Sequence, residues 1–87
     1  MTGLLLTCAL VIAIPAHAET LQEVKARAAA LKAKGDAAGA LAAYERAAEL
    51  APQAAEIQDE IGFLMAATNR AAEAKTRFER AIQLQSD

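Results

Sequence analysis

The chain repeats itself at an offset of 34 residues, and self-similarity at such a period marks a protein built from stacked supersecondary units. Shifting the sequence by this offset lays Tyr44-Glu45-Arg46-Ala47 over Phe78-Glu79-Arg80-Ala81. The same shift brings Ala40 onto Ala74, Leu50 onto Leu84, Leu31 onto Met65 and Ala28 onto Gly62, with Ala37-Ala38 falling on Ala71-Ala72. Each match keeps the size class of the side chain as well as its place. Whatever one unit folds into, the other folds into as well.

Local signals predict that each unit is a pair of helices. Thr20-Leu21-Gln22-Glu23 has the form of a capping box, and Leu21, Val24, Ala28 and Leu31 then recur at helical spacing. Gly35 stops this helix, Asp36 caps the next, and Pro52 ends it. Ala37, Ala40, Tyr44, Ala47, Ala48 and Ala51 form the apolar stripe of the second helix. In the second unit Ile57, Ile61, Leu64 and Met65 form one stripe and Ala71, Ala74, Phe78, Ala81 and Ile82 the other, with Asn69 taking the place of Gly35. Glu23–Arg27 and Glu73–Arg77 have the spacing of i,i+4 ion pairs. Small residues at Ala28/Gly62, Ala40/Ala74 and Ala47/Ala81 let the paired helices approach, and Tyr44 and Phe78 fill the gap between them. A long coiled coil would need unbroken apolar heptads, and the breaks at Gly35, Pro52 and Asn69 oppose it.

These residues resemble the tetratricopeptide repeat (TPR) family, in which a Gly-containing first helix is followed by a second with an Ala-x3-Phe pattern. Ile61-Gly62, Ala74, Phe78 and Ala81 match in the second unit, and Ala28, Ala40, Tyr44, Ala47, Leu50 and Pro52 in the first. The sequence departs from the pattern where Val24 and Gln58 replace Trp, Arg27 replaces Leu, Met65 replaces Tyr, and Ser86 stands in place of Pro. The resemblance covers Leu21 to Asp87. It implies an all-α fold of two helix-turn-helix hairpins, four antiparallel helices in a short right-handed α-solenoid, with units over residues 19–54 and 55–87. It also implies an adaptor without chemistry of its own, which holds a peptide or helix of another protein in the groove lined by its first helices. The family's groove positions fall on Gln22, Lys25, Ala29, Lys32 and Ala33, then on Glu56, Asp59, Phe63, Ala66 and Ala67. Helix arithmetic singles out Phe63 independently. It lies about 120° from the Ile61–Leu64 stripe, the one large apolar residue outside it. The carboxylate-clamp subtype is rejected, since Ala29 stands where that subtype needs Asn.

Composition narrows the chemistry further. The sole Cys (Cys8) and the sole His (His17) lie in the first 18 residues, and the only Ser is Ser86. Residues 19–87 therefore lack the thiol and imidazole needed for Cys/His or Ser/His catalysis, Cys/His zinc sites and haem ligation. Glu56, Asp59 and Glu60 cluster, but on a helix and without the loop that wraps a hard cation. No catalytic residue, cofactor or metal is expected. A net charge of −2, one Tyr and no Trp leave neither a phosphate footprint nor a stacking platform for nucleic acid.

The first 18 residues carry no Asp, Glu, Lys or Arg. Leu4 to Ile14 is an apolar run, broken by Pro15 and followed by Ala16-His17-Ala18. The run is shorter than the ~20 residues of a spanning helix and fits a signal peptide cut after Ala18. Met1-Thr2-Gly3 supplies no basic side chain to its start. The expectation is an exported protein, periplasmic or secreted, without stable membrane insertion after cleavage. A retained anchor and a lipoprotein attached through Cys8 fit less well. Two repeats also leave an apolar strip around Phe78 and Ile82 for which the chain offers no cover, so self-association through the last helix, in a small assembly subunit, is the alternative to the adaptor. A fragment of a longer repeat protein would look the same.

Overall fold

The computed structural model describes residues 19–86. The signal-peptide assignment over residues 1–18, with its cleavage point, lies outside the described residues. Within them the chain forms four helices and no strand: α1 (Leu21–Ala33), α2 (Ala37–Leu50), α3 (Ala55–Ala67) and α4 (Ala71–Ser86). Packing follows chain order, α1 on α2, α2 on α3, and α3 on α4. The result is two helical hairpins stacked side by side.

The capping box at α1 forms in both directions. The Glu23 backbone N–H donates to Thr20 Oγ1 at 3.1 Å, and the Thr20 N–H donates to Glu23 Oε1 at 2.9 Å. At the other end Gly35 takes φ +85°, a left-handed conformation that a Cβ disfavours. That corner lets the Asp36 N–H reach back to the Leu31 carbonyl at 2.9 Å. Asp36 then caps α2 by accepting from the Gly39 N–H at 2.9 Å. Asn69 repeats the left-handed corner between α3 and α4 with φ 66°, and the Arg70 N–H reaches the Met65 carbonyl at 2.8 Å. Both stops predicted from sequence are thus built alike. α3 begins at Ala54 without a side-chain cap.

The core runs through both hairpins. Val24 and Ala28 of α1, Ala40, Tyr44 and Ala47 of α2, and Ile57, Ile61, Leu64 and Met65 of α3 are buried, as are Ala74 and Ala81 of α4. Leu41 and Ala43, outside the predicted stripe, are buried too. Gly62 lies under the ring of Phe78, where a Cβ would come within 2.9 Å of Cε1. The second helix of the second hairpin is less covered than its predicted stripe suggests. Ala71 is exposed, and the strip expected around Phe78 and Ile82 is open, at 37% and 62% exposure.

The two i,i+4 ion pairs are replaced by other partners. Arg27 Nη1 donates to Glu19 Oε2 at 2.6 Å, which ties the segment ahead of α1 onto that helix. Glu73 is gripped by two nitrogens of Arg70, each at 2.8 Å, because Arg70 precedes α4 and can bend over its first turn. Arg77 is then free to cross to α2, where Nη2 meets Glu45 Oε1 at 2.9 Å. A guanidinium fork reaches farther than a helix-surface pairing rule assumes.

Candidate partner-binding groove

Residues at i, i+3, i+7 and i+10 share one helix face, so Gln22, Lys25, Ala29 and Lys32 point the same way along α1. Glu56, Asp59, Glu60 and Phe63 do so along α3. The structure brings the two rows together. Lys25 Nζ stands 3.8 Å from Glu56 Oε2, and Lys32 Nζ donates to Glu60 Oε1 at 2.7 Å. Gln22 and Asp59 are exposed, and Asp59 has no ion pair among the described residues.

Phe63 is the centre of this face, with 54% of its surface in water. Lys32 Nζ lies 4.8 Å from its ring centroid, within reach of the ring's negative quadrupole. The hydrogen bond to Glu60 raises the Lys32 pKa above its ordinary value, the effect outweighing partial burial. Tyr44, beneath the same pair, is raised chiefly by burial and further by the negative charge of Glu60. Lys32, Asp59, Glu60, Phe63 and Phe78 line a shallow cavity of about 310 Å³. One wall comes from α1, the floor from α3 and the far edge from α4.

The groove positions place lysines on α1 and carboxylates on α3. The structure pairs them across the groove, so the two walls largely neutralise one another. Glu60, read as part of a solvated carboxylate cluster, is the residue that closes Lys32. The available signal was its i+4 spacing from Glu56, which presents two carboxylates to a helix carrying two lysines. Phe78, assigned to repeat packing like Tyr44, also forms the cavity edge. Tyr44 is 6% exposed at the equivalent place.

Gln58 is the buried polar residue of the core at 7% exposure. Its Oε1 accepts a long 3.4 Å contact from Arg77 Nη1, so one guanidinium links α2, α3 and α4. No buried side-chain polar atom lacks a partner among the described residues. No group of three or more His, Cys, Asp or Glu side chains there could hold a metal ion, and no helix there is long and apolar enough to cross a membrane. The face presents an exposed ring, a second ring at its edge and a line of charged, hydrogen-bonding groups. Comparison with protein-family models, with curated proteins and with solved structures finds no match to the chain.

Proposed function

We propose that the protein is a non-catalytic adaptor of the tetratricopeptide type, exported to the cell envelope, which holds an extended peptide or a helix of another protein along the face of α1 and α3. The observation that carries this reading is Phe63. A large apolar side chain half in water, at the centre of an open cavity and flanked by hydrogen-bonding groups, has the make-up of an interface anchor. The 34-residue register and the matching left-handed corners at Gly35 and Asn69 support the family assignment. Export rests on the apolar run from Leu4 to Ile14 and the Ala16-His17-Ala18 that follows.

Because Lys32 already occupies the Phe63 ring and Glu60, a ligand must displace it or lie across it. Binding is therefore expected to weaken at high salt less than for a groove with free charges. A photo-crosslinking residue at position 63, used in the intact cell, should yield a discrete adduct. The partner so identified, once purified, should lose at least tenfold in affinity on Phe63→Ala and little on Lys75→Ala. Equal binding by both variants would refute the groove reading. N-terminal sequencing of the envelope fraction tests export, with Glu19 as the expected first residue.

The exposure of Phe78 and Ile82 favours a second reading, an assembly subunit that associates with itself through α4. Sedimentation equilibrium separates the two, since concentration-dependent mass lost on Ile82→Glu belongs to the assembly reading alone.

A further inference from the structure

The cavity of the groove has an order around α3. Counted at 100° per residue from Asp59, Gly62 lies at about −60°, Phe63 at about 40° and Glu60 at about 100°. Phe78 stands over Gly62, and Lys32 is bonded to Glu60. Asp59 therefore sits between two rings, with Lys32 on the far side of Phe63. These two rings, Asp59, Glu60 and Lys32 line the same cavity.

The charges around it balance except at Asp59. Lys25 is paired with Glu56 and Lys32 with Glu60 across the groove. On α4, Arg70 grips Glu73 and Arg77 crosses to Glu45. Lys75 and Glu79 are exposed, opposite in charge and one turn apart, so they offset each other on the outer side of Phe78. Lys75 also precedes Phe78, which puts it toward the C-terminal end of α3, about 9 Å along the helix axis from Asp59. Arg80 turns about 160° away from Phe78. Asp59 is left exposed in the cavity without an ion pair among the described residues.

The first hairpin has no counterpart to this arrangement. The residues 34 positions before Asp59 and Phe63 are Lys25 and Ala29. A unit of this kind thus folds with neither ring nor carboxylate there, and both are exposed in the second unit. Packing does not require them. Lys32, 4.8 Å from the Phe63 centroid, shows what such a ring can do, since its negative face attracts positive charge.

We propose that the cavity between Phe63 and Phe78 is a subsite for one arginine side chain of the bound partner. The planar guanidinium stacks against the rings, and its fork donates two hydrogen bonds to Asp59. A lysine would supply the charge without the flat face. Lys32 stays on Glu60, so the bound segment lies across it and not in its place. This inference rests on the groove reading and deepens it, by naming what the segment carries opposite Asp59.

Acetyl-Gly-Arg-Gly-amide and its citrulline and lysine twins, titrated into the full protein labelled with nitrogen-15, test it by NMR. Saturable shifts centred on Asp59 and Phe63 are expected. Arginine should bind about fivefold more tightly than citrulline, the combined size of one exposed ion pair and one cation–π contact, and more tightly than lysine. Asp59→Asn should bring arginine down to the level of citrulline, and Phe63→Leu should weaken it about threefold. Glu79→Gln removes an equally exposed carboxylate that has no ring on either side, and should change nothing. Asp59 and Phe63 face solvent, and unchanged circular dichroism melts confirm that their variants fold. Arginine binding no better than citrulline or lysine, or unmoved by Asp59→Asn, would overturn the proposal. A crosslinked partner that loses affinity on Phe63→Ala but not on Asp59→Asn would overturn the subsite and leave the groove standing. Arginine selectivity in a protein that yields no adduct would uphold the subsite and sink the groove reading alone.

Discussion

Tyr44 and Phe78 occupy one position of the repeat in two environments, and truncating each to Ala measures the difference directly. The ring of Tyr44 is 6% exposed, between α1 and the overlying α3, while that of Phe78 is 37% exposed at the edge of the stack. Truncating a fully buried ring costs about 3–5 kcal/mol, through lost transfer energy plus the void left behind. Tyr44→Ala meets that description and should cost about 3–4 kcal/mol. Phe78→Ala forfeits only the packed part of the ring and opens a notch that water fills, so the void contribution vanishes. At ~25 cal/mol per Å² of apolar area this leaves about 2 kcal/mol. The expected gap between the variants is therefore about 1.5 kcal/mol. Urea denaturation followed by far-ultraviolet circular dichroism resolves it, because an m-value of about 1 kcal/mol per molar for so small a chain separates the midpoints by about 1.5 M. Equal losses, or a larger loss for Phe78→Ala, would refute the claim that α3 buries one face while its counterpart on α4 stays open.

Other consequences of the fold are smaller. Gly35→Ala should destabilise by about 1–2 kcal/mol, the cost of holding a Cβ in the left-handed region, and Gly35→Asn by less. Nothing lies within 4 Å of the added methyl, so a thermal melt reads backbone strain alone. Thr20→Ala removes half of the capping box and should cost about 1 kcal/mol, with faster hydrogen exchange confined to the first turn of α1. The Glu19 pKa is lowered by its hydrogen bond with Arg27, and that of Glu73 by Arg70. A carboxyl with a depressed folded pKa binds fewer protons in the native state than in the unfolded one, so its contribution is present above the ordinary value of 4.5 and fades as pH falls through the folded value. Urea midpoints should hold from neutrality to about pH 5 and then decline, with Glu19→Gln reducing the acid slope slightly because the pair is exposed.

Much of this architecture was legible because its causes are local. Gly35, Asp36 and Asn69 act on their own backbone, and the capping box needs only four consecutive residues, so sequence alone located every turn between helices. Burial at Ala28, Ala40 and Ala47 followed from helical spacing and from the second unit repeating the first. Side chains that reach between helices were not legible. Arg27, Arg70 and Arg77 each had an acidic neighbour at a favourable spacing, yet two of them chose partners outside their own helix. A guanidinium on a long stem finds whichever carboxylate the tertiary fold leaves nearest, and that distance is absent from the sequence. The pairing inside the groove was not legible for the same reason, since Lys32 and Glu60 stand 28 residues apart and meet only once the hairpins stack.

The polar contacts between hairpins differ in what they specify. Apolar burial has no direction, so the α2–α3 contact by itself tolerates a slip of α3 by one turn, with Ile57 moving to the place of Ile61. The lysine pairs would not resist that slip, because Glu56 and Glu60 are four residues apart and either can serve Lys32. Arg77 does resist it. Its guanidinium touches Glu45 on α2 and Gln58 on α3 at once, and a one-turn shift would carry Gln58 away while leaving a buried amide without its partner. Burying an unpaired amide costs more than its hydrogen bond gains, so the register is held chiefly by what misalignment would expose. Buried Gln58 and the cross-hairpin reach of Arg77 thus act together. Replacing Gln58 with Leu should preserve stability while loosening the alignment of α3 against α4.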